Sequence, residues 1–313
     1  MSIIKSYSVG NGDMFYIKHG TDNFSIIDCC LYNDKKDIII KEILEIASTK
    51  EIVRFISTHP DEDHIHGLEL LNKNLNITNF YCVKNNAKKN DFSQSFEEYK
   101  KLRDSNKVFY IHKDSQRKWM NISDESRGSS GINILWPDTD NEYFKNELQK
   151  AAEKISFNDI SPIIQYKLDK GVTALWMGDL TTDFMEKIEN EVNWEKVDIL
   201  FAPHHSRKSG RVPSSILNKL NPKLIVVGEA NSKDLYYYSN YTTITQRKAG
   251  DIVFDCQTGT INIYVSNLNY EAKNLEKDSK IPTIYDNLKY IGSVTTYNYC
   301  LLYTSDAADD LLC

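Results

Sequence analysis

The sequence contains no CxxC pair, and its six cysteines, at positions 29, 30, 82, 256, 300 and 313, follow no regular spacing. That argues against a disulfide framework and against a thiolate metal site, and leaves them as reduced, mostly core residues of a cytoplasmic protein. Long apolar runs are also missing. The longest aliphatic stretches, such as Ile38-Ile39-Ile40, fall far short of the ~20 residues a membrane-spanning helix needs, so no membrane partner is expected. The first residues, Met1 to Ser8, carry neither an extended apolar stretch nor a cleavage-like sequence, and no secretion signal is expected there. Positive charge is not in excess: the formal net charge is −6, which excludes a uniformly basic nucleic-acid binder but not a local basic surface. Internal repeats and low-complexity linkers are absent as well.

What remains is 313 residues, 26% charged and 41% hydrophobic, the composition of a globular protein able to bury a core without disulfide support. Short apolar runs broken by Gly10 to Asp13 and Gly20 to Asn23 predict hairpin strands over 3–9, 14–18 and 24–28. The spacing of Ile38, Ile39, Ile40, Ile43, Leu44 and Ile46 predicts a helix over 34–48, and Ile52 to Ser57 reads as a buried strand. A helix is expected over 65–72. Strands at 162–168, 172–177, 197–202 and 224–227 alternate with helices at 181–191 and 213–220, and 252–265 closes as a hairpin. Strand–helix alternation in each half predicts a layered α/β domain. Residues 81–118 stand apart, with ten Lys or Arg against five Asp or Glu and aromatics interleaved. Such a mixture suits either a surface that tracks a nucleic-acid backbone and stacks its bases or an amphipathic helix with a solvated lysine face. Tyr236, Tyr237, Tyr238 and Tyr241 present the same choice between stacking a base and capping a loop.

Histidine placement carries the chemistry. Five of the seven histidines fall in two short stretches, His59, His64 and His66, then His204 and His205, each just after a predicted strand. Asp61, Glu62 and Asp63 accompany the first stretch, and Asp179 follows a third strand. Imidazoles with carboxylates at strand ends suit a divalent cation of intermediate hardness, Zn²⁺ or Mn²⁺. A solvated charged loop with incidental histidines accounts for one cluster but not for two plus Asp179.

At these residues the sequence resembles the metallo-β-lactamase-fold hydrolases, and within them the ComEC-like branch found in the nuclease-like domain of DNA-uptake competence proteins. Thr58-His59-Pro60-Asp61-Glu62-Asp63-His64 is similar to that branch's Ser/Thr-His-Pro-Asp-x-Asp-His. Val9 to Asp13, Ile26 to Asp28, Asn158 to Ser161, Trp176 to Asp179 and Ala202 to Ser209 resemble its further elements, in order, over residues 3–265. The resemblance implies a four-layer αββα sandwich and two divalent metal ions. It implies His59 and Asp61 on one metal, Asp63 and His64 on the other, and Asp179 bridging. A histidine of the pair His204 and His205 completes the second site, with His204 favoured because it leaves the strand first. Asp63, Asp179 and Lys208 are the expected catalytic residues, and Asn158, Ser161, Ser206 and Lys208 the expected substrate-binding ones. Asp13 and Asp28 are expected to support the ligands rather than bind metal. His66-Gly67 stands where the branch has Gly-Gly, and His66 is expected to face solvent. Ser206-Arg207-Lys208 replaces Gly-Ser-Lys.

The reading that follows is a phosphodiesterase or nuclease acting on DNA, RNA or nucleotides through a metal-bridging hydroxide. The alternatives are the same fold hydrolysing a lactone, thioester or amide, and a non-catalytic binding or regulatory module. Residues 1–299 are expected to form one domain, with 81–156 an expanded insert. Residues 300–313 resemble the translation of a sequencing adapter and are expected not to be native. That segment holds Asp306, Asp309 and Asp310, half of the net negative charge.

Overall fold

The computed structural model describes residues 1–32, 34–228 and 236–298, and the 300–313 segment lies outside them. Two β-sheets face each other. The first runs, in spatial order, Ile284–Tyr285, Leu288–Thr295, Thr260–Val265, Ile252–Cys256, Ser2–Ser6, Phe15–Lys18, Asn23–Ile27, Ile52–Ile56, Phe80–Cys82 and Val108–Tyr110. The second runs Thr243–Thr245, Leu224–Val227, Ile199–Phe201, Thr173–Trp176, Ile163–Lys167 and Ile132–Trp136.

Side-chain alternation sets the layers. Ile4, Phe15, Ile17 and Ile27 of the first sheet join Ile164, Tyr166, Ala174 and Leu200 of the second in one buried cluster. The other face of the first sheet carries Tyr16, Phe24, Ile26 and Phe55. These pack on Ile39, Ile40 and Ile43 of the helix Lys36–Ala47, on Leu68 and Leu71 of Leu68–Leu75, and on Phe96 and Tyr99 of Gln94–Arg103. Strands Thr173–Trp176, Ile199–Phe201 and Leu224–Val227 are buried at every residue, so both of their faces are covered. Helices Glu142–Ala152, Thr182–Lys187 and Ser214–Leu220 supply that cover through Phe144, Phe184, Met185, Ile216 and Leu220. The result is the expected four-layer αββα sandwich. Each such buried Ile or Phe contributes roughly 1.5–3 kcal/mol. No helix among the described residues is long and apolar enough to cross a membrane.

Most of the expected elements form within two residues of their predicted ends, while the strand expected over 3–9 stops at Ser6. The helix expected over 65–72 is instead a short turn, Glu62–Ile65, followed by Leu68–Leu75. Gly67 separates them at φ +81, where a Cβ would sit 2.8 Å from Leu31 Cβ. Leu288–Thr295 is one of several strands beyond those expected; it pairs with Thr260–Val265 and carries the first sheet beyond the closing hairpin. The helix expected over 181–191 stops at Lys187.

The basic segment folds largely inward. Tyr81, Phe96 and Tyr99 are core residues, and Phe92 is 79% exposed. Arg117 stacks over Tyr81 and Phe109 at 5.1 and 4.4 Å, and Arg103 is buried against Asn85 and Ala87. The helix is amphipathic, with its aromatic face spent on the core. Tyr237 and Tyr238 cap a loop, their hydroxyls bonding the Val212 carbonyl and amide, while Tyr236 is exposed. Cys29, Cys30, Cys82 and Cys256 are free and buried.

Strand direction then delivers the chemistry to one edge. Asn23–Ile27 and Ile52–Ile56 run parallel, so Asp28 and Thr58-His59 leave their sheet at the same end. In the second sheet Thr173–Trp176, Ile199–Phe201 and Leu224–Val227 are parallel, releasing Asp179, His204-His205 and Gly228 together. The His204 amide donates to the Gly178 carbonyl at 3.0 Å and ties two of these exits.

Candidate metal centre

Six of the predicted metal-site residues converge around Asp179, which is 2% exposed. His64 Nε2 lies 3.0 Å from Asp179 Oδ1, and the Nε2 atoms of His59, His204 and His205 lie 3.9, 3.7 and 3.6 Å from Oδ2. His59 Nε2 is also 3.4 Å from Asp61 Oδ2. His205 Nε2 is 3.2 Å from Asp63 Oδ2 and 3.3 Å from His64 Nε2. The donors thus divide about Asp179, with His59 and Asp61 on one side and Asp63, His64 and His205 on the other. His205 rather than the favoured His204 stands with Asp63 and His64. His204 remains close to Asp179, its Nδ1 held 3.2 Å from Ser209 Oγ.

Asp13 belongs to this group too. One atom each from Asp13, His64, Asp179 and His205 lies within 4.8 Å of all the others, an arrangement able to hold a metal ion. Its Oδ1 is 3.3 Å from His205 Nδ1, and its backbone amide donates to the Asp63 carbonyl at 3.1 Å. The Val9-Gly-Asn-Gly-Asp13 motif signalled this residue, but only as support. Asp28 stands behind His64 with Oδ2 2.8 Å from Nδ1, and its carboxylate accepts from the Thr58 amide and hydroxyl at 2.7 and 2.6 Å. Such a partner fixes the ring and its tautomer.

The donor set fits cations. His59 Nε2 and Asp179 Oδ1 are fully buried, and their nearest polar neighbours, Asp61 Oδ2 at 3.4 Å and His64 Nε2 at 3.0 Å, are themselves candidate metal donors. Imidazole nitrogens and carboxylate oxygens packed this closely about one buried aspartate suit a divalent cation. The carboxylates are kept ionised. Burial would raise Asp179, but His64, His205 and His59 hold it well below the usual range. Burial is likewise outweighed at Asp63, which His205 and His64 bring down to about 2. Burial favours neutral His64 and His205, yet Asp179 and Asp28 raise the first well above its usual value. Asp13 and Asp179 push the second up to about 10. His204 moves the other way, lowered by burial and by Arg207 despite Asp179. Burial pushes the nearby Cys30 thiol up to about 12, so it stays protonated and is no thiolate ligand.

The predicted substrate residues do not all reach the mouth. Ser161 is fully buried, its hydroxyl 3.3 Å from His59 Nδ1 and accepting from the Asp179 amide at 3.2 Å. Ser206 is fully buried and accepts from the Gly228 amide at 3.2 Å. Both hold the framework in place of facing a substrate, because their strand ends are packed between the sheets. Asn158 is half-buried in the turn before Ser161, and Lys208 is exposed. The cation that does reach the cluster is Arg207, with Nη1 3.3 Å from His204 Nε2 and Nη2 3.7 Å from Asp63 Oδ2. It also donates to Asn11 Oδ1 at 2.6 Å.

No protein-family model matches the chain, and no curated protein matches it. Among solved structures it is similar to Igni18, a metallo hydrolase from the archaeon Ignicoccus hospitalis, with 13% identity over 81% of this chain and 99% of that one, at a TM-score of 0.49. It is also similar to the metallo-beta-lactamase fold protein YhfI from Bacillus subtilis, with 11% identity, the same coverage of both chains and a TM-score of 0.44. A third likeness is to CmlA, a diiron beta-hydroxylase from Streptomyces venezuelae, with 13% identity over 74% of this chain and 45% of that one, at 0.42. What the centre does follows from its own residues.

A buried strand-edge cluster with separate imidazole and carboxylate donors can hold and orient hard-to-intermediate cations. Its backbone is bent to that purpose. His204, His205 and Ser206 all have positive φ, 53, 51 and 68, a left-handed run that costs roughly 1–2 kcal/mol per residue. Ser206 occupies the position where the resembled motif has glycine, and the Gly228 amide bond to its hydroxyl offsets part of that strain.

Proposed function

We propose that the chain is a dinuclear metal-dependent hydrolase acting on phosphodiesters of DNA, RNA or nucleotides. The observation that carries this reading is the convergence of His59, His64 and His205, with Asp61 and Asp63 beside them, on the buried Asp179, with a guanidinium at the border. His59, Asp61 and Asp179 would hold one ion, and Asp63, His64, His205 and Asp179 the other, with Asp13 and His204 beside them. Zn²⁺ or Mn²⁺ suits this oxygen-rich donor set. Such ions, when bound, lower the pKa of water and clamp the oxygens of an in-line displacement.

The protein's part is orientation and charge. Asp28, Ser161 and Thr58 hold the rings of His64 and His59, so the ligand nitrogens point inward. Arg207 presents a planar fork to a phosphoryl oxygen, a role better suited to its position than to that of Lys208. On the other side Lys89 approaches Glu62 to 3.5 Å, bringing one cation of the basic segment to the metal edge.

Metal analysis combined with hydrolysis of bis(p-nitrophenyl) phosphate and of single-stranded DNA tests the reading, wild type against Asp179→Ala. Bound metal near two equivalents and loss of at least ~100-fold in turnover are expected, since the variant removes the shared ligand. Unchanged turnover in Asp179→Ala sinks the two-metal mechanism. Robust hydrolysis of a lactone with none of either phosphodiester replaces the substrate class.

A further inference from the structure

Beside the metal cluster lies a cleft of about 510 Å³ lined by Val9, Gly10, Asn11, Tyr32, Glu62 and Asp63. Asp63 is one of the proposed metal ligands, so the cleft opens directly from the reacting region. One feature of its wall has no part in metal binding. The Tyr32 ring stacks on His66 with centroids 3.6 Å apart and planes 14° from parallel. Tyr32 is 52% exposed, which leaves surface on the phenol for a second ring.

The pair is built into the fold. The backbone of 29–30 bridges that of 65–66 as a short parallel ladder, and the Leu31 amide donates to the His66 carbonyl at 3.0 Å. His66 Nδ1 lies 3.3 Å from Glu62 Oε1, an oxygen that also accepts from Ser93 Oγ at 2.8 Å. Glu62 therefore sits between two metal-motif aspartates and fixes the imidazole from below, while Lys89 offsets its charge. His66, expected to face solvent, is thus held by Glu62 and stacked against Tyr32.

We infer that the Tyr32–His66 stack is a ring-binding platform that seats a nucleobase of the substrate beside the scissile phosphate. The inference rests on the phosphodiesterase reading for its substrate class. Phosphate recognition alone needs no aromatic wall. A preformed stack, by contrast, takes any base on its π-face, with little ordering of the protein on binding. Asn11, which also lines the cleft, is held by Arg207, so ring and phosphate contacts border one opening.

The test is equilibrium binding to the metal-loaded protein by calorimetry, with adenosine 5′-monophosphate and its base-free counterpart ribose 5-phosphate. Wild type should prefer the nucleotide. Tyr32→Ala should weaken nucleotide binding by about 10-fold and leave ribose 5-phosphate unchanged, the size expected for one base–aromatic stack. Tyr32→Phe should retain the preference within about 2-fold, since it keeps the π-face. Equal weakening of both ligands, no weakening of either, or no preference in the wild type overturns the platform. Hydrolysis of bis(p-nitrophenyl) phosphate by the wild type is read in parallel. Activity without a base preference removes the platform and leaves the phosphodiesterase standing. A base preference that Tyr32→Ala abolishes, in a protein that cleaves no phosphodiester, keeps the platform and removes the reaction.

Discussion

Asp28 shows how much of the centre is decided by side chains that touch no ligand site. Its carboxylate faces His64 Nδ1 at 2.8 Å, so replacing it by Asn keeps the shape and removes the charge that orients the ring. Asp28→Asn should weaken metal affinity by roughly 10–100-fold, read by competition with a chromophoric chelator, and unaltered affinity would show that the ring is fixed by packing alone. Protonation makes a second prediction at this scale. Burial favours the neutral ring of His205, but Asp13 and Asp179 push its pKa up to about 10, so the metal-free protein holds a proton there at neutral pH. Ligation needs the neutral ring. Metal binding should therefore release protons into a weakly buffered solution, and apparent affinity should fall as pH falls. The same shift acts on stability. A histidine raised above its unfolded value near 6.5 stabilises the metal-free fold fully below that pH and loses this as pH rises toward about 10. In chelator-treated protein the urea midpoint should decline from this group between about pH 7 and 10, and a midpoint that rises there would contradict the assignment.

At the scale of elements, the centre depends on how closely two strand ends approach. Gly178 has φ +49, and a Cβ there would meet Ser161 Oγ at 2.6 Å and Thr58 Cβ at 3.0 Å. Both neighbours are buried beside His59, so neither can retreat into solvent. Gly178→Ala should cost about 1–3 kcal/mol in denaturant unfolding and displace His59 enough to lower metal occupancy. Wild-type stability and occupancy together would mean the strands have room to spread. This approach also marks the limit of sequence reading. The strand ends and the residues following them were legible because a short apolar run stopping at a His or Asp is a local pattern. The two histidine clusters, the acids at 61–63 and Asp179 show in that pattern, while the ligand roles of His59, Asp61, Asp63, His64 and Asp179 are what the family resemblance implies; these residues and the 204–205 pair do converge. Asp13 as a member of the donor group was not legible, because its place comes from a loop folding back onto the Asp63 carbonyl. Nor could spacing separate Arg207 from Lys208. Three consecutive left-handed residues turn that loop, and periodicity arguments assume ordinary backbone. The two readings of 81–118 stay open in the sequence for a related reason, since composition does not reveal which face of Gln94–Arg103 packs on the sheet.

For the molecule as a whole, charge distribution bears most directly on a nucleic-acid substrate. The chain is net −6, so long-range attraction to a polyanion is not what would bring the two together. Many cations of the basic segment are already engaged: Arg103 with Asp104, Lys100 with Glu97, Lys101 with Glu98 and Lys118 with Asp124. Close to the metal edge are Lys89 of this segment and, from the loop after Ile199–Phe201, Arg207, with the exposed Lys208 next in sequence. If three side chains each neutralise one phosphate of a single strand, log K should fall against log salt with a slope near −2, at ~0.7 per contact. A groove that tracks the backbone over many nucleotides would give a slope several times steeper. Fluorescence anisotropy of a labelled oligonucleotide between about 50 and 200 mM salt, with metal held constant, separates the two. A shallow slope that becomes shallower still in Arg207→Ala places recognition at the metal mouth. A steep slope unaffected by Arg207→Ala would move it, and the path of the strand, onto the 81–118 surface.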